Sequence, residues 1–86
     1  MAKTYVFYCD PGHAWLKVTR QELFSLGIAD KISGCSYQNG NNVFLEEDCD
    51  ALIFLNAKRD YKITEKFTDN QSKIRGYDYF ESGLVL

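Results

Sequence analysis

The chain has 86 residues, a formal net charge of -2, a hydrophobic fraction of 45%, and six Tyr and six Phe among its aromatics. That length makes one domain, residues 1–86, with a thin stability margin, and that composition excludes a disordered chain. The mild acidity leaves no basic field to grip phosphate backbones, which disfavours nucleic acid as a partner, and it falls short of the long acidic array of a nucleic-acid mimic.

Thr4 to Cys9 is rich in aromatic and β-branched residues and reads as a strand. Asp10-Pro11-Gly12-His13 follows, and Pro then Gly at the central positions predict a type II turn. Ala14 to Val18 completes a first hairpin. Thr19 with Glu22 three residues on forms a capping-box pattern, Val18 and Leu23 occupy the staple positions, and Gly27 suits a Schellman ending with Ile28 folding back on Leu23. A helix is therefore expected inside Thr19 to Gly27. Ile28 to Ser33 reads as a turn or a short helical piece. Ser36-Tyr37-Gln38 and Val43-Phe44-Leu45 flank Asn39-Gly40, a strong hairpin signal. Glu46, Glu47, Asp48 and Asp50 then lead into the apolar run Ala51 to Leu55 and on to Lys58-Arg59. This order suits the dipole of a second, deeply packed helix with one acid as its cap. Lys62 to Phe67 and Ile74 to Phe80 read as two more strands joined by the polar stretch Thr68 to Ser72. The expected fold is α+β in the order ββαββαββ, with antiparallel hairpins packed against two helices.

Cys9, Cys35 and Cys49 make an odd count, which fits free thiols in a reducing, cytoplasmic compartment. The opening Met1-Ala2-Lys3-Thr4 runs into a strand without the apolar stretch of a signal peptide, and no apolar run is long enough to span a membrane.

His13 is the single histidine. It reads either as a turn residue packing on Trp15 or as an acid–base group oriented by Asp10 or an acid at 46–50, and the first reading is favoured. Cys9, His13, Cys35 and Cys49 could make a Cys3His metal set, but their spacing lacks the close ligand pairs of structural zinc sites, so no metal and no cofactor are expected. A catalytic Cys–His pair has no mark of an activated thiol in its favour. The acids at 46–50 exceed what a helix dipole needs, so the surplus could receive a divalent cation or a basic partner surface. Tyr5, Tyr8, Trp15, Tyr37, Tyr61, Tyr77 and Tyr79 either pair across strands or serve as binding contacts. Lys66, Lys73 and Arg75 read as the charges of a solvated edge, with phosphate or nucleotide binding as the alternative that the lack of a Gly-rich phosphate loop disfavours.

Three strings, Asp10-Pro11-Gly12-His13-Ala14-Trp15-Leu16, Ser36-Tyr37-Gln38 and Phe44-Leu45-Glu46-Glu47-Asp48-Cys49-Asp50-Ala51, with Ile74-Arg75-Gly76-Tyr77, resemble a group of uncharacterised small proteins of bacteriophages and mobile elements. The resemblance covers most of the chain and implies no activity. It implies a phage-encoded accessory protein inside a bacterial host, of a kind that often binds host machinery, including defence systems. Locally, Leu16 to Ile28 is similar to the strand-cap-helix segment of swapped-hairpin regulators of the AbrB type, which are DNA-binding dimers; the acidic balance and second helix depart from them. The leading expectation is a non-enzymatic module, monomer or homodimer, that binds a host protein through Asp10, His13, Trp15, Tyr37, Glu46, Glu47, Asp48 and Asp50. A DNA-binding dimer and a small hydrolase or transferase using His13 with an acid are the alternatives.

Overall fold

A computed structural model describes residues 2–81. Its strands and helices run β1 (Lys3–Cys9), β2 (Ala14–Thr19), α1 (Arg20–Ser25), β3 (Tyr37–Asn39), β4 (Asn42–Glu46), α2 (Ala51–Lys58), β5 (Tyr61–Phe67) and β6 (Asp78–Tyr79). Short 3-10 turns occupy Ala29–Lys31 and Lys73–Gly76. The α+β class and the ββαββαββ order match the expectation from sequence. No helix among the described residues is long and apolar enough to cross a membrane.

One six-stranded sheet holds all the strands, in the order β5-β1-β2-β4-β3-β6. The first two hairpins form as expected, but the last two strands do not pair with each other. β5 joins one edge parallel to β1, and β6 joins the opposite edge antiparallel to β3. The cause is α2. A helical crossover returns the chain in the direction of its starting strand, so β5 arrives parallel to β1, with β1 and β2 between it and β4. The chain after β5 must then travel back to the far edge, and it does so over the sheet's second face. This is also why Ile74 to Phe80, read as one strand, divides into a 3-10 turn and a two-residue strand.

Helix α1 follows its local rules. Thr19 Oγ1 accepts the Glu22 N–H at 3.1 Å, and Glu22 Oε1 accepts the Thr19 N–H at 2.8 Å, so both arms of the capping box are present. Gly27 sits at φ 71°, and the Ile28 and Gly27 N–H groups donate to Leu23 and Phe24 carbonyls, both at 3.0 Å. These are the two bonds of a Schellman ending.

Helix α2 departs from expectation in two ways. It buries Ala51 and Phe54, but Leu52 stands 63% exposed, so the helix lies on the sheet by one stripe and is not sunk into the core. Asp50 occupies its N-cap position, yet its side chain makes no cap bond and turns instead to the 33–36 segment.

Strand alternation gives the sheet two different faces. Leu16, Val18, Val43 and Leu45 point to one side with Tyr5, where Leu23, Ile28 and Phe54 close the main core. Trp15, Phe44 and Tyr37 point to the other side, where the returning segment lays Ile74 and Tyr77 across them. This second cover answers the question of the surplus aromatics. Tyr5 and Trp15 are buried, Tyr8, Tyr37, Tyr61 and Tyr77 are half-buried, and Tyr79 alone of the set is exposed, at 63%.

Candidate functional site

The turn after β1 is organised by a carboxylate. Asp10 Oδ1 accepts the N–H groups of Gly12 and His13 at 2.9 and 3.0 Å, and the Asp10 N–H donates to the His13 carbonyl at 2.9 Å. Gly12 does not take positive φ, so the expected type II turn is absent. The Asp10 side chain supplies the closure that a glycine in the left-handed region would otherwise provide. Glycine serves here by its size: a β-carbon on Gly12 would come within 3.0 Å of Arg75 Nη2.

The same carboxylate anchors the returning segment. Arg75 donates from Nε to Asp10 Oδ2 at 2.7 Å and from Nη2 to Oδ1 at 2.9 Å, and the Ser72 N–H donates to Oδ2 at 2.9 Å. This is a bidentate pair around a carboxylate whose side chain is 1% exposed. The Arg75 guanidinium, followed by the backbone N–H donors, holds the Asp10 carboxyl well below the usual range against the opposing effect of burial. Arg75 also lies 5.2 Å from the centre of the Trp15 ring. It therefore belongs to the fold's second face and not to a solvated edge.

Beside this anchor opens a hollow of about 420 Å³, lined by His13, Trp15, Cys35, Tyr37, Glu46, Asp48, Cys49, Arg75 and Tyr79. Register explains the gathering. Trp15 pairs with Glu46 across β2 and β4, Tyr37 pairs with Tyr79 across β3 and β6, and partners in register share a face. His13 Nδ1 lies 3.2 Å from Glu46 Oε2, while Glu46 Oε1 accepts the Asp48 N–H at 2.8 Å. Ligand atoms of His13, Glu46, Glu47 and Asp48 all lie within 4.8 Å of one another. Glu46 is buried, whereas Glu47 and Asp48 are exposed and no ion pair to a cation engages either side chain among the described residues. The Trp15 Nε1–H, on a ring 2% exposed, has no acceptor among the described residues.

The far wall is built on Asp50. Its buried carboxylate accepts the Ser33 N–H at 3.1 Å, the Ser33 hydroxyl at 2.8 Å and the Ser36 hydroxyl at 2.5 Å. Ser36 Oγ in turn accepts the Glu46 N–H at 3.1 Å. The 33–36 loop is thereby fastened to the start of α2. Cys35 and Cys49 both open onto the hollow there. The neighbouring Cys35 thiol, with burial and Glu46 acting the same way, pushes the Cys49 thiol up to about 12.

Of the eight residues expected at a binding site, five line the hollow: His13, Trp15, Tyr37, Glu46 and Asp48. Glu47 joins the four-residue cluster. Asp10 and Asp50 sit behind the hollow as buried anchors, so their carboxylates position the site from within. Cys9 is buried on the Phe7 carbonyl and apart from the hollow, which divides the four residues of the considered Cys3His set. Cys35, Cys49, Arg75 and Tyr79 also line the hollow and lie outside those eight. Cys35 and Cys49 come together only through the Asp50 bonds, and Arg75 only through Asp10. No family model, curated protein or solved structure matches this chain.

Proposed function

We propose that this domain is a non-enzymatic binding module that holds a protein partner at the His13–Glu46 hollow, with a lysine or arginine side chain of the partner set against Glu47 and Asp48. One observation carries the reading: four ligand-bearing side chains converge within 4.8 Å at an open hollow. Two of its exposed carboxylates have no cation engaging them among the described residues. An uncompensated acidic rim beside an exposed aromatic, Tyr79, suits a basic side chain flanked by apolar surface. The resemblance to phage and mobile-element proteins supports a bacterial host protein as that partner, in the cytoplasm of the host and in a role that counters host defence. The test is affinity capture from host lysate with the native chain and with a Glu47→Lys, Asp48→Lys double variant. Loss of a captured protein in the variant, together with weakening as salt rises, supports the reading; equal recovery by both chains overturns it.

The same cluster supports a second occupant, a divalent cation, because one imidazole and three carboxylates within 4.8 Å are a plausible ligand set. Calorimetric titration of the native chain with zinc or manganese decides this. Stoichiometric heat that disappears in His13→Ala favours the cation, and its absence leaves the basic side chain.

A further inference from the structure

We propose that Cys35 and Cys49 are a reversible disulfide site that locks the wall of the hollow. The geometry comes from the Asp50 fastening. Ser36 and Asp50 are joined side chain to side chain at 2.5 Å, and each cysteine is the residue immediately before one of these partners. Both cysteines line the same hollow. Their backbones are held as well: the Cys35 N–H donates to Ser33 Oγ at 3.1 Å and the Cys49 N–H to the Glu46 carbonyl at 3.2 Å. The two chain segments are thereby held beside each other, the condition on which disulfide formation depends. Both thiols are exposed to an oxidant, whereas Cys9 is buried.

The step balances with a low-molecular-weight disulfide of the glutathione class as oxidant. The Cys35 thiolate attacks one sulfur of the oxidant, forming a mixed disulfide and releasing one small thiol. Cys49 then gives up its proton and attacks the Cys35 sulfur, which displaces the second small thiol. The two protein thiols lose two protons and two electrons, and the oxidant's sulfur–sulfur bond is reduced to two thiols. The bond joins the 33–36 loop to the 47–50 turn and so fixes the Glu47 and Asp48 rim. That regulatory consequence rests on the partner reading above; the bond itself does not.

The test uses the whole reduced chain, equilibrated in buffers of increasing oxidised-to-reduced glutathione, quenched with an alkylating reagent and mapped by mass spectrometry. The expected result is joint loss of alkylation at Cys35 and Cys49, a cross-linked peptide two hydrogens lighter than its parts, and Cys9 still alkylated. Cys9→Ser leaves the cross-linked fraction unchanged, and Cys49→Ser stops at a glutathione adduct on Cys35. Separate adducts on both cysteines with no cross-linked peptide, or both thiols still alkylated in fully oxidised buffer, overturn the proposal. Partner capture by a chain that forms no cross-link would remove this proposal alone. A cross-link in a chain that captures nothing would remove the partner reading alone.

Discussion

The two faces of this sheet are closed by different means. The face under α1 and α2 is covered by many apolar side chains, with Leu16, Leu23, Leu45 and Phe54 all fully buried, and no single contact dominates. The opposite face is covered by one short segment. Its apolar contribution is Ile74 and Tyr77, and its position is set by a single charged junction, Asp10 with Arg75 and Ser72. Distributed burial is insensitive to pH and fails gradually as side chains are trimmed. A junction built on one ionised pair fails as a unit when either partner changes charge. The candidate hollow borders the second kind of cover, so its shape depends on the more switchable half of the molecule.

The comparison breaks most visibly at Phe54. Its ring is fully buried and meets Tyr5 edge-on at 5.1 Å. Phe54→Ala is expected to cost about 3–5 kcal/mol by lost burial and the cavity left behind. Against the roughly 5–15 kcal/mol that holds a typical domain, this is a large fraction. Urea unfolding followed by circular dichroism and by Trp15 emission should give coincident, strongly lowered midpoints, because a core loss undermines both faces. A cost below about 1 kcal/mol would show that the helix-covered face is not the principal core.

Substitution at the charged junction should separate the faces. The Asp10 carboxyl is lowered in the folded chain relative to about 3.9 in an unfolded one. A depressed folded value means that the unfolded chain binds protons first, so the junction's contribution is complete above pH ~4 and is lost as pH falls below it. Glu22 is also lowered: burial opposes its ionisation, and hydrogen bonds from Tyr5, Thr19 and Lys3 outweigh it. Acid therefore loosens both faces, and Arg75→Gln isolates one of them at neutral pH. Trp15 is the single tryptophan and lies 5.2 Å from the Arg75 guanidinium, so its emission reports the second face. In Arg75→Gln at pH 7 the emission should shift while far-UV circular dichroism keeps most of its amplitude. Simultaneous loss of both signals would mean that the two covers are one cooperative unit.

The same contrast explains what could be read from the chain. Helix α1 was legible because every determinant lies within ten residues: Thr19, Glu22, Leu23, Gly27 and Ile28 obey short-range rules that no distant contact overrides. The second cover was not legible. Ile74 to Phe80 alternates like a strand, but Asp10, 65 residues before Arg75, bends its first turn into a 3-10 conformation. The site divides likewise. His13, Trp15, Tyr37 and the acids at 46–48 stood out by residue type, and strand register brought them together. One of the acids at 46–50 was expected to cap the helix, yet Asp50, which takes that position, is a buried fastening to Ser33 and Ser36, and this depends on where the 33–36 loop packs. Cys35 and Cys49 looked isolated because that fastening is a tertiary event.

The smallest expected effect tests whether the faces are independent. Thr19→Ala removes the hydroxyl that accepts the Glu22 N–H and donates to Glu22 Oε1 at 3.0 Å. The Thr19 backbone bond to Glu22 at 2.8 Å survives, as do the Tyr5 hydroxyl at 2.5 Å and the Lys3 ammonium at 3.1 Å on Oε2. Glu22 therefore stays in place, and the loss should stay near the usual value for a removed cap, about 1 kcal/mol. It should lower the urea midpoint with an unchanged slope, since the surface exposed on unfolding is the same. Native Trp15 emission should not move, because Trp15 faces the other side of the sheet from α1. A shift in that emission would show that the start of α1 is coupled to the Asp10–Arg75 junction. The route would be β2, the six-residue strand that carries both Trp15 and Thr19.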